Sequence, residues 1–185
     1  MDWMNQLSGV LQQYNGTAAG RARSTVQDDF DQIAQSAPHT DLADGIAAAF
    51  RSEQTPEFGQ MAQQLFSNSS SEQQAGILNT FVNGAGPMIL SQVLSRLETA
   101  KSDGKLFSLI NLLRSGQPTP ITPEQAEQIP AEAVQEIATQ AAKKDPSVID
   151  QVSRFYAGHP TLVKMLGSAA LSIALSRIAE RSQRN

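Results

Sequence analysis

Residues 160–182, Pro160-Thr161-Leu162-Val163-Lys164-Met165-Leu166-Gly167-Ser168-Ala169-Ala170-Leu171-Ser172-Ile173-Ala174-Leu175-Ser176-Arg177-Ile178-Ala179-Glu180-Arg181-Ser182, decide the fold class. Apolar residues recur here every three or four positions, the spacing of a helix rather than a strand. Leu162, Val163, Leu166, Ala169, Ile173 and Ile178 cover several sides of that helix. A helix that is apolar on several sides is one surrounded by others. The stretch therefore predicts a long C-terminal helix from 160 to 182 at the centre of an all-α array or bundle. Gly167, Ser168, Ala169 and Ala170 are small enough to let a neighbouring helix approach closely. The most apolar window, Met165 to Ser176, is closed by Lys164 and Arg177. It falls short of the ~20 residues that a membrane-spanning helix needs.

Upstream the same periodicity repeats. Trp3, Leu7, Val10, Leu11 and Tyr14 form one face; Val26, Phe30 and Ile33 a second; Leu42, Ile46 and Phe50 a third. Further faces are Phe58, Met61, Leu65 and Phe66, then Ile77, Leu78, Phe81 and Val82, then Leu90, Val93, Leu94 and Leu97. Residues 106–113 are apolar on most sides. Helices near 123–128, 130–144 and 146–157 precede the last one, with Val134, Ile137 and Ala141, and then Val148, Val152, Phe155 and Tyr156, as their buried stripes. Alternating strand patterns and fixed-period repeats are absent.

Boundary chemistry agrees. Proline is tolerated at the first helical position because its missing N–H would be unpaired there, and Pro56, Pro87, Pro123, Pro146 and Pro160 all suit that role. Thr122 with Gln125, and Ser71 with Gln74, fit the capping box; Thr40 fits an N-cap, beside His39. Lys143 and Lys144 suit the negative end of a helix dipole. Gly16 to Gly20 and Ser67 to Ser71 read as loops. Ser115-Gly116-Gln117-Pro118-Thr119-Pro120 reads as a linker. It divides the chain into an N-terminal helical region, 1–115, and a C-terminal one, 121–185, expected to pack as one globular unit.

The 185 residues carry a net charge of −4, with 40% hydrophobic and 17% charged residues, enough apolar content for a real core and not the signature of a disordered chain. An acidic balance speaks against a general nucleic-acid binder. Charge is uneven: eight acids in residues 1–60 stand against three arginines, whereas the tail holds Arg177, Arg181 and Arg184 against Glu180. Attraction between an acidic front and a basic tail of different subunits is one reading; solvated faces and helix ends are the plainer one. With no cysteine, disulfides, thiolate nucleophiles and cysteine-based metal sites are excluded. Met1 to Leu7 lacks the positive start and apolar run of a secretory signal, which points to a cytoplasmic location.

The residues that carry chemistry are few. His39 and His159 are the two histidines, and neither has another at helical spacing, so zinc-ligand spacing is missing. Both read first as structural residues at helix starts. His159 is the better functional candidate because Tyr156 lies one turn before it; this pair is the weak polar site. Asp28-Asp29-Phe30-Asp31 lacks the spacing and closing glutamate of a calcium loop, and Asp41 and Asp44 suit a first helical turn facing water. Gly84-Ala85-Gly86 is no dinucleotide fingerprint and reads as a hinge. No catalytic residue, cofactor site or metal site is assigned. Trp3, Leu7 and Leu11, with Met4, form a candidate interaction face; residues 1–20 carry no Lys or Arg, so core packing or self-association fits better than a membrane surface.

Several phrases also point to a family. The N-terminal helix to Tyr14, Ala48-Ala49-Phe50-Arg51-Ser52, Phe58-Gly59-Gln60-Met61, Gln74-Ala75-Gly76-Ile77-Leu78-Asn79, Ile121-Thr122-Pro123-Glu124-Gln125-Ala126-Glu127 and Phe155-Tyr156-Ala157-Gly158-His159-Pro160-Thr161-Leu162-Val163 resemble the YidB-like domain of unknown function. The resemblance spans most of the chain through helix caps and packing residues. It implies a helical bacterial protein of unknown role and carries over no activity and no site residue. Three functional expectations follow. The first is a non-enzymatic helical interaction protein that self-associates into a homo-oligomer or takes a protein partner. The second is a binder of an apolar small molecule or lipid between helices. The third is an enzyme built on His159, Tyr156 and a distant carboxylate.

Overall fold

The computed structural model describes residues 3–14, 23–101, 104, 106–117 and 119–184. It is all-α, with no strand among the described residues. The elements run α1 (Trp3–Gln12), α2 (Arg23–Ser36), α3 (His39–Arg51), α4 (Phe58–Ser67), α5 (Ser71–Ala85), α6 (Pro87–Lys101), α7 (Phe107–Arg114), α8 (Pro123–Ala126), α9 (Ala131–Lys144), α10 (Ser147–Ala157), α11 (Pro160–Val163), a 3-10 turn (Lys164–Leu166) and α12 (Ser168–Ser182). By compactness the chain divides into one unit of Met1–Glu57 with Ser153–Asn185 and another of Phe58–Val152. The division falls elsewhere than at residues 115–121, which lie inside the second unit.

In the first unit α12 packs on α3, α2 and α1. The stripes read from the sequence on α2 and α3 point inward: Val26, Phe30 and Ile33, and Leu42, Ile46 and Phe50, are all buried. In the last stretch Leu162, Val163, Leu166 and Ile178 are buried as read, but Ala169 is exposed and Ile173 half-buried, and Leu171 and Leu175 fill the core of α12 instead. Gly45 lets α3 and α12 approach closely, since a Cβ there would stand 2.8 Å from the Ala174 carbonyl oxygen. The single long helix expected from 160 to 182 is not formed. The chain tightens into a 3-10 turn at Lys164–Leu166, and Gly167 takes φ +92° and ψ 168°. That backbone conformation belongs almost solely to glycine, so helical hydrogen bonding stops there and restarts in α12. At 15 residues α12 equals α5 and α6 in length.

In the second unit α4 lies against α9, α5 against α6, α8 and α9, and α6 against α7 and α9. Phe58, Met61, Leu65 and Phe66 meet a core that includes Ile77, Leu78, Phe81, Val134 and Ile137. Phe58 and Phe81 pack edge to face at 6.4 Å, a geometry that aligns the positive rim of one ring with the negative face of the other. The linker is held down by one side chain: Asn79 donates through Nδ2 to the Ile121 carbonyl at 3.0 Å and accepts from the Ile121 N–H at 2.7 Å.

Boundary chemistry is met in part: Pro87, Pro123 and Pro160 open α6, α8 and α11 as read, whereas Pro56 precedes α4 by two residues and Pro146 precedes α10 by one. Thr122 and Gln125 form the capping box before α8 as read. Before α5 the box is Ser70 with Gln73, one residue earlier than Ser71 with Gln74. Gln74 instead donates to the Phe66 carbonyl at the end of α4, at 3.0 Å. Thr40 does not cap α3; Pro38 precedes its first residue, His39. Lys144 ends α9 as expected, and its ammonium donates to the Ala85 carbonyl at 2.9 Å, satisfying an open acceptor at the end of α5.

Candidate functional sites

The N-terminal interaction face is only partly available. Leu11 is buried, and so is Tyr14 just beyond α1. Tyr14 donates through its hydroxyl to Asp29 at 2.5 Å, and its carbonyl accepts from the Ser176 hydroxyl at 3.0 Å. These contacts tie the end of α1 to α2 and α12. The side chains of Trp3 and Leu7 lie outside the described residues.

The His159–Tyr156 pair is not arranged as a polar site. Tyr156 is wholly buried, whereas His159 is half-buried at the start of α11. The ring that shares the environment of His159 is Phe155, stacked on it with centroids 4.8 Å apart and planes 28° from parallel. His159 Nδ1 lies 2.9 Å from the Phe155 carbonyl oxygen. A carbonyl only accepts, so Nδ1 carries a proton. The structure also brings in the other histidine: His39 Nε2 lies 3.8 Å from the position a Cβ on Gly158 would occupy. No sequence spacing signals this, because 120 residues separate the two.

The acidic residues act as ties between helices. Arg181 on α12 pairs with Asp41 at 3.0 Å and also with Asp44, both on α3. Lys164 pairs with Asp31 of α2 at 2.7 Å. Part of the uneven charge seen in the sequence is thus paired within one chain, front to tail. Asp41 and Asp44 were expected to face water; Asp41 is instead buried in this pairing. Among the described residues no group of three or more His, Asp or Glu side chains is placed to hold a metal.

The carboxyl groups of Glu124 and Asp145 are perturbed, each at a helix start. Glu124 is held below its ordinary value by the backbone N–H and the Thr122 hydroxyl. Asp145 is held low by the side chain and backbone of Ser147, whose N–H donates to Asp145 Oδ1 at 2.9 Å. Hydrogen bonds to the charged form lower a carboxyl pKa, and these two stabilise helix ends. Among the described residues, large apolar side chains that stay exposed are Met88 on α6, Phe107 on α7 and Met165 in the 3-10 turn, with Phe107 at 62%. No described helix is long and apolar enough to cross a membrane. No known family, curated protein or solved structure matches the chain.

Proposed function

We propose that this chain is a non-enzymatic helical interaction protein that self-associates through apolar contact. The observation that carries the reading is the engagement of the polar residues singled out in the sequence. Asp29, Asp31, Asp41 and Asp44 join one helix to another, and His159 is fixed by stacking and by a carbonyl. A reaction site needs ionisable groups converging where a substrate can reach them, and these groups serve the scaffold instead. Front-to-tail pairing within the chain engages Asp31, Asp41 and Asp44 and so weakens the charge-based motive for association. Apolar surface supplies another. Phe107 heads a helix whose Leu109, Ile110 and Leu113 are buried, yet it stays in water, with Met88 exposed on the adjoining α6. Aromatic residues and methionine are enriched where proteins meet. The resemblance to the YidB-like domain adds a bacterial setting to this reading and no activity.

Light scattering after gel filtration over a dilution series tests the proposal. The expected result is a mass above that of the single chain at tens of micromolar, falling to the single-chain mass in Phe107→Ser. A single-chain mass at every concentration, or a multimer indifferent to Phe107→Ser and to Met88→Ser, overturns it.

A further inference from the structure

We infer, resting on the self-association proposed above, that Met88 is a reversible oxidation site whose sulfoxide releases the chain from its sister copy. The chain has five methionines and no cysteine, so its sulfur chemistry belongs to thioethers alone. Exposure divides them. Met61 is 1% exposed in the core of the second unit, whereas Met88 is 54% exposed at the second residue of α6 and Met165 is 48% exposed in the 3-10 turn. The side chains of Met1 and Met4 lie outside the described residues. A peroxide must reach sulfur to react, so the folded single chain offers Met88 and Met165 and shields Met61. The oxidant is hydrogen peroxide. The thioether sulfur attacks one peroxide oxygen, the O–O bond breaks, an S–O bond forms and water leaves. Sulfur gives up two electrons and the peroxide takes them. A polar, chiral sulfoxide then stands where a flexible apolar side chain stood, which disrupts contacts built on methionine. Met88 belongs to the surface assigned to association. Met165 lies in the first unit and has no part in that contact, so its oxidation is an internal control. Sulfoxide reductases return the thioether, which makes the release reversible.

The test is partial oxidation of the dilute full chain with hydrogen peroxide, removal of the peroxide and concentration to tens of micromolar. Gel filtration with light scattering then separates multimer from single chain, and peptide mass mapping locates the added oxygen in each fraction. The expected result is a loss of multimer in proportion to the sulfoxide at Met88. That sulfoxide should collect in the single-chain fraction, while sulfoxide at Met165 is spread evenly and Met61 stays unoxidised. Sulfoxide reductases acting on both epimers, with a thiol reductant, should restore the multimer. The single-chain fraction should keep the helical circular dichroism of the untreated chain; its loss would mean release by unfolding and overturns the inference. Met88 no more reactive than Met61, or release that tracks Met1, Met4 or Met165 instead, overturns it as well. An untreated multimer that retains chains oxidised at Met88 overturns this inference alone. An untreated chain that is single at every concentration overturns the self-association and the inference with it.

Discussion

At the scale of single residues, glycine and hydrogen-bonded side chains set the tolerances. A Cβ on Gly59 would meet the Thr139 hydroxyl and stand 2.7 Å from the Gln135 carbonyl oxygen. The second of these is backbone and cannot swing away. Gly59→Ala is therefore expected to separate α4 from α9 and to destabilise by about 1–3 kcal/mol, read as a lower denaturation midpoint in urea. At Gly167 the obstacle is backbone conformation and not space, since nothing lies within 4 Å of a Cβ there. Gly167→Ala should cost about 1–3 kcal/mol through its forced positive φ, and an unchanged midpoint would show that the turn relaxes. The buried Tyr14 gives a third case. Tyr14→Phe removes its hydrogen bond to Asp29 and keeps the ring, with an expected loss of about 1 kcal/mol. Residues of this kind are poorly legible in a sequence. Gly167 read as a small residue for close packing, because nothing in Leu166-Gly167-Ser168 states a dihedral angle.

At the scale of elements, the sequence was a good guide wherever burial repeats at helical spacing. Phe58, Met61, Leu65 and Phe66 on α4, and Val134, Ile137 and Ala141 on α9, are buried as their spacing implies. The Thr122–Gln125 box was legible because Pro123 fixes where α8 begins. Before α5 no proline marks the start, and the run Ser69-Ser70-Ser71 offers equivalent caps, so the box was read one residue late. Caps also contribute to the acid response of the fold. Asp145 and Glu124 have folded pKa values below their ordinary 3.8 and 4.5. A depressed carboxyl contributes stability that is present above its unfolded value and is lost as pH falls through the folded one. The starts of α8 and α10 should thus loosen as pH drops below those ordinary values. Asp145→Asn should flatten that part of the acid limb when unfolding is followed by circular dichroism; an acid limb identical to that of the parent would exclude the Asp145 contribution.

At the scale of the whole molecule, the decisive feature is where charge and apolar surface are placed. The imbalance between an acidic front and a basic tail was visible in the sequence, but its resolution was not. Pairing Arg181 with Asp41 and Asp44 requires residues about 140 positions apart to meet, and no local pattern encodes that. The same limit hid the meeting of His39 with Gly158. Arg181 is half-exposed, so solvent screens its pairing, and Arg181→Ala should cost only about 1 kcal/mol, less at high salt. Association through Phe107 should respond in the opposite sense, because salt screens charges and does not weaken apolar burial. The most direct test is the mass of the parent chain by light scattering at low and at high ionic strength. The expected result is a multimer that persists or grows as salt rises. A multimer that dissolves into single chains with added salt would contradict the account, since charge between copies would then be what holds it.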